Sequence, residues 1–140
     1  MKIMRVIIFT DGSSKGNPGP AAIGAIIKDE QGKVIDSISQ GIGDATNNQA
    51  EYRAVIAALE NAVGLGASQV DMRSDSELVI RQINGRYRVK NASLKPLYQK
   101  VKQLQSQFAG FTITHIPREQ NTEADSLANI ALKWPPVTIP

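Results

Sequence analysis

Residues 3–20 read Ile3-Met4-Arg5-Val6-Ile7-Ile8-Phe9-Thr10-Asp11-Gly12-Ser13-Ser14-Lys15-Gly16-Asn17-Pro18-Gly19-Pro20. Residues 3–10 are a nearly unbroken run of apolar, β-branched and aromatic types, the pattern of a strand buried on both faces. Turn formers dominate residues 11–20, so the chain is expected to leave the strand at Asp11. Residues 21–28 (AAIGAIIK) and 33–40 (KVIDSISQ) read as two more strands. Asp29-Glu30-Gln31-Gly32 between them is a short turn, which makes the pair a hairpin.

Beyond the hairpin the period changes. From Thr46 it is helical to about Val63, where Gly64 and Gly66 end it. A short strand is expected at 69–73, a helix at 76–83 closed by Gly85, and a helix at 94–108. That last helix has Leu94, Leu97, Val101, Leu104 and Phe108 on one face. Phe111 to Ile116 reads as a strand stopped by Pro117, and Asn121 as the cap of a final helix running to about Lys133. Trp134-Pro135-Pro136 breaks it, giving a single domain over 1–133 and a tail over 134–140. The order βββ, α, β, α, α, β, α is that of an α/β protein with a five-stranded mixed sheet.

Composition removes whole classes of function. The 140 residues include no cysteine, which excludes a disulfide scaffold, a zinc finger, an iron–sulfur site and thiol catalysis. No apolar run approaches the length of a membrane span, and the first residues lack the pattern of a signal peptide, so a cytoplasmic protein is expected. A net charge of +3 permits nucleic-acid binding without requiring it. Arg81, Arg86, Arg88, Lys90, Lys95, Lys100 and Lys102 crowd one segment, with Glu77 as the nearby counter-charge.

The acids are more telling. Asp11 and Asp75 each fall at the carboxyl end of an expected strand, where open sheets build their sites. Glu51 lies on the same line of its helix as Val55, Ala58 and Ala62, so its carboxylate faces the core. That placement is costly unless something compensates the charge, and no Lys or Arg shares the line. Asp125 stands at the shoulder of the apolar stripe Ala124, Leu127, Ala128 and Ala131. Taken singly, Asp11 suits a turn, Asp75 an N-cap and Asp125 a first helical turn. Gathered at one crevice, they would repel one another without a counter-ion. Oxygen-only ligands suit hard divalent cations, Mg²⁺ above all. Two such ions about 4 Å apart serve phosphodiester hydrolysis.

Four segments in register resemble type 1 ribonuclease H. They are Asp11-Gly12-Ser13 with Gly16-Asn17-Pro18-Gly19, Thr46-Asn47-Asn48-Gln49-Ala50-Glu51, Ser74-Asp75-Ser76, and Asn121-Thr122-Glu123-Ala124-Asp125. The resemblance implies a ribonuclease H-like fold with strand order 3-2-1-4-5. It also implies hydrolysis of the RNA strand of RNA/DNA hybrids to 5′-phosphate and 3′-hydroxyl ends by a monomer. Asp11, Glu51, Asp75 and Asp125 match the family's metal-binding carboxylates, which hold two Mg²⁺, with Mn²⁺ as an alternative. Asn17, Asn47 and Asn48 match positions that contact RNA in the minor groove, and Thr46 one that holds a DNA-strand phosphate. Gly12 and Ser13 belong to the glycine-rich stretch that lets backbone approach the ribose.

The chain departs from the family pattern in three places. The basic protrusion some members carry is missing, since Asn84 to Asn91 runs almost directly into the next long helix. Asp44 stands where some relatives place a phosphate-binding Arg. Arg118 takes the place of a mobile loop His, and His115 reads as a strand residue. A second substrate, double-stranded RNA alongside hybrids, fits the shortened loop. A silent hybrid-binding module fits poorly, since all the carboxylates are present.

Overall fold

The computed structural model describes residues 4–133. The expected start of the first strand at Ile3 and the tail 134–140 lie outside the described residues. Ten residues, Arg5–Ser14, form β1, which pairs antiparallel with β2 (Gly19–Lys28) and parallel with β4 (Gln69–Ser74). β3 (Val34–Ala45) pairs antiparallel with β2, and β5 (Gly110–His115) parallel with β4, giving the order β3-β2-β1-β4-β5. The helices are α1 (Asn47–Gly64), α2 (Glu77–Ile83), α3 (Lys95–Gln105) and α4 (Thr122–Lys133), and a 3₁₀ turn covers Arg118–Gln120.

One departure from expectation shapes the site. β1 does not stop at Thr10; Asp11 to Ser14 stay in the sheet, paired with Gly24 to Ala21 of β2. The turn-forming types there are overridden by a non-local ladder, as β propensities commonly are. The turn proper is Lys15 to Pro18, closed by the Lys15 amide donating to the Pro20 carbonyl at 2.8 Å. β3 likewise continues past its expected end at 40 to Ala45. β4 stops at Ser74, opposite Thr10, so the last residues of β1 have a neighbour on the β2 side alone. The gap beside them is the crevice that the reversal of strand direction opens.

Two glycines let helices approach the sheet there. Asp11 and Gly24 are cross-strand partners and share a face. A Cβ on Gly24 would lie 2.2 Å from the Ala124 carbonyl oxygen and 2.6 Å from the Ala128 nitrogen, so α4 covers that face. Gly12 points to the opposite face, where a Cβ would lie 2.3 Å from the Ala50 carbonyl carbon. On that side Val6, Ile8, Ile27, Val70 and Met72 pack with Tyr52, Val55, Ala58 and Leu59 of α1, and with Val79, Val101 and Leu104 of α2 and α3. Among the described residues no helix is long and apolar enough to cross a membrane.

Candidate metal and nucleic-acid site

The carboxylates arrive from different elements. Asp11 comes from inside β1 and Glu51 from the second turn of α1. The start of α1 is fixed by a capping box: the Thr46 hydroxyl accepts from the Gln49 amide at 3.1 Å, and the Gln49 side chain accepts from the Thr46 amide at 2.8 Å. Asp75 follows β4 directly, in a turn where the Ser76 amide donates to the Ser74 hydroxyl at 3.1 Å. Ser76, not Asp75, takes the cap position of α2, which leaves the Asp75 carboxylate for the crevice.

One oxygen each from Asp11, Glu51 and Asp75 fall within 4.8 Å of one another. Asp125, in the first turn of α4, stands outside that trio, beside Asp11 and in the same crevice. The crevice has a volume of about 690 Å³ and is also lined by Gly12, Ser13, Asn47, Asn48, His115 and Arg118.

Burial and mutual repulsion set the protonation. Burial pushes the Asp11 pKa from 3.8 up to about 7; a hydrogen bond with Glu51 opposes the rise, and Asp125 and Asp75 add to it. Glu51 is pushed well above the ordinary range, first by burial and then by the charge of Asp11. Its Oε2 is buried without a hydrogen-bond partner. Among the described residues no Lys or Arg forms an ion pair with any of these acids. A buried orphan oxygen amid converging carboxylates, none of them in an ion pair among the described residues, is a donor set that fits a hard divalent cation.

Where the other expected residues fall is mixed. Asn47 Oδ1 accepts from the Ser14 amide at 3.0 Å, and Asn17 Oδ1 accepts from the Asn47 amide at 3.1 Å. The asparagines thus lock the 15–18 turn to the start of α1. Asn47 and Asn48 line the crevice, whereas Asn17 and Thr46 are not part of its lining. Arg118 opens the 3₁₀ turn after β5, and His115 is the last residue of β5; both reach the crevice wall.

The chain is similar to known proteins over most of its length. A family model described as reverse transcriptase-like matches residues 9–131. The crystal structure of RNase H1 from the halophilic archaeon Halobacterium salinarum is 43% identical, covers 92% of this chain and 98% of its own, and superposes with a TM-score of 0.90. The chain belongs to the ribonuclease H family.

Other members are similarly near. The N-terminal RNase H domain of a Mycobacterium tuberculosis bifunctional protein is 46% identical over 91% of this chain and 98% of the solved one, with a TM-score of 0.89. LC11-RNase H1, solved in complex with an RNA/DNA hybrid, is 43% identical over 91% of this chain and 96% of its own, with a TM-score of 0.87. The chain spans 36% of the full mycobacterial protein and 64% of the full Halobacterium salinarum ribonuclease HI. Among the described residues no helix separates α2 from α3, in keeping with the expected lack of a basic protrusion.

One position escaped the sequence reading, and another has a role beyond the one expected. Gly24 carries the close approach of α4, and the sequence signal for it was a glycine inside an apolar strand. Asn121 was expected to cap α4. Its side chain instead donates from Nδ2 to the Thr10 carbonyl at 2.9 Å, tying the loop before α4 to the residue preceding Asp11. Asn121 is 1% exposed. Its main-chain carbonyl, not its side chain, serves the helix by accepting from the Asp125 amide at 3.1 Å. Reaching a strand more than a hundred residues away is a tertiary fact that local cap rules do not contain.

Proposed function

We propose that this ribonuclease H cleaves the RNA strand of RNA/DNA hybrids, leaving 5′-phosphate and 3′-hydroxyl ends, with two Mg²⁺ ions held by the carboxylates. The observation that carries this is the convergence of Asp11, Glu51 and Asp75 within 4.8 Å, with Glu51 Oε2 buried and unpartnered. The hybrid bound by LC11-RNase H1 supports the choice of substrate.

Asp11 and Asp75 serve as the principal ligands, Glu51 completes the set from α1, and Asp125 extends it from α4. When bound, the cations supply activation of a water and stabilisation of charge on the phosphate and the departing 3′-oxygen. The protein's own part is positional. Ligand binding requires Asp11 and Glu51 to release the proton that burial favours, so occupancy rises with pH. Arg118 presents a guanidinium at the crevice wall, where it offsets phosphate charge. Gly12, Ser13, Asn17, Asn47 and Asn48 bring main chain and amides to the ribose edge. Close polar groups of this kind distinguish a 2′-hydroxyl. Thr46 spends its oxygen on the cap and keeps its hydroxyl proton as a donor for a phosphate of the DNA strand. All four carboxylates come from one chain, so a monomer suffices.

The test is cleavage of an end-labelled RNA/DNA hybrid, with duplex RNA and single-stranded RNA in parallel. It is run with Mg²⁺, Mn²⁺ or EDTA, with Asp11→Asn as control. Metal-dependent cutting of the hybrid's RNA strand, lost in the variant, is expected. Equal cutting of duplex RNA would overturn the specificity, and no cutting under any metal would overturn the activity.

A further inference from the structure

A second groove lies between the segment after α2 and the first half of α3. It has a volume of about 570 Å³, and Arg86, Tyr87, Arg88, Lys95 and Tyr98 contribute to its walls. No acidic side chain lines it, and among the described residues Arg86, Arg88 and Lys95 form no ion pair. Glu77, the one acid in residues 76–108, is engaged by Arg81 at 2.6 Å. The positive charge of the groove is therefore uncompensated.

The groove is also built rather than loose. Gly85 turns the chain with φ 78°, and the Arg86 and Tyr87 amides both donate to the Arg81 carbonyl, at 2.8 and 3.1 Å. Asn84 Nδ2 donates to the Ile113 carbonyl of β5 at 3.1 Å, and Lys102 Nζ to the Ile83 carbonyl at 2.5 Å. These bonds pin both walls to the sheet and to α2. The Arg81 guanidinium stacks over the Tyr87 ring at 5.2 Å, which fixes an aromatic surface that is still 46% exposed. α2 begins just after Asp75 and Ser76 of the catalytic crevice and ends at this groove, so one short helix, about 10 Å long, separates the two.

Cations alone would suit any phosphate backbone. Aromatic rings in the same groove suit something narrower, because bases inside a duplex are stacked on one another and closed to a protein ring. An unpaired strand offers both phosphates and free base faces. We propose that this groove binds an unpaired nucleotide segment continuing from the hybrid, with Tyr87 stacking on a base and Arg86, Arg88 and Lys95 holding its phosphates.

This inference rests on the hybrid reading above, and the experiment separates the two. Binding is measured by fluorescence anisotropy with the non-cleaving Asp11→Asn protein in Mg²⁺. The probes are a blunt hybrid and the same hybrid carrying a short single-stranded DNA or RNA overhang at either end. An overhang is expected to tighten binding about tenfold, as one stacked base does elsewhere. Adding Tyr87→Ala should erase that gain and leave blunt-hybrid affinity unchanged, while Tyr87→Phe keeps it. Arg88→Ala should flatten the salt dependence of the overhang gain. The DNA and RNA arms identify which strand is held. Equal affinity for blunt and overhung hybrids would overturn the inference while leaving the hybrid reading intact. So would equal loss on both probes in Tyr87→Ala, because the groove would then be touching duplex. No binding to either probe would overturn both.

Discussion

Replacing Asp11 by Asn removes one charge from the carboxylate cluster and keeps the side-chain shape. Burial and the neighbouring acids raise the Asp11 pKa from 3.8 to about 7. An acid whose pKa rises on folding holds more protons in the native state than in the unfolded one across that interval. Stability of the metal-free protein is therefore greatest below about pH 4 for this group and falls as pH climbs through about 7. Three units at about 1.36 kcal/mol each set a ceiling of about 4 kcal/mol on the loss. The high effective dielectric of such sites lowers this to about 2 kcal/mol. For a chain of this size that is about 6 °C in melting temperature. In EDTA at pH 8, Asp11→Asn should melt about 6 °C above wild type while losing all cleavage. By pH 4 the gap should close. The assay is a series of circular-dichroism melts of both proteins from pH 4 to 8. A variant that melts at or below wild type at pH 8, or a gap that persists at pH 4, would refute the like-charge account and make Asp11 structural.

On the proposed function Mg²⁺ binds the native state alone, so it should raise the melting temperature of wild type and leave Asp11→Asn nearly unmoved, as differential scanning fluorimetry across a Mg²⁺ titration would show. Gly24→Ala drives a Cβ into the α4 backbone at 2.2 Å; it should cost about 2–3 kcal/mol in a urea melt and lower kcat for hybrid cleavage as Asp125 moves away from Asp11. Asn121→Ala deletes the buried bond to the Thr10 carbonyl and should cost about 1–3 kcal/mol by the same melt. Arg118→Ala should remove most of the turnover and His115→Ala little. The reverse result in steady-state kinetics would transfer the role to His115.

Much of the fold was legible because it rests on periods. An unbroken apolar run, a hairpin turn and two amphipathic helices specify elements from neighbouring residues alone, and the order of elements leaves few mixed sheets to choose from. Glu51 was legible for the same reason: a carboxylate on the Val55, Ala58 and Ala62 line stands out against a 3.6-residue period, and it is indeed buried. Asp75 was legible by its place after a strand, although local rules would have made it a cap. The first strand's true end was not. Asp11 to Ser14 are held by β2, a partner whose pull cannot be weighed against glycine and serine propensities without the ladder itself.

The sequence by itself determined which groups are present and, for most, along which element each lies: an acid after β4, one acid on a core-facing stripe, asparagines at a helix start, and a basic segment after α2. Only the tertiary structure decided their distances. β4 ends one residue short of Asp11, and Gly12 and Gly24 clear opposite faces of the sheet for α1 and α4. Asn121 then binds the loop before α4 back to β1. The physical reason is that carboxylates repel, and no local preference gathers them. Asp11, Glu51 and Asp75 are brought within 4.8 Å because the burial of the apolar faces behind them outweighs the repulsion.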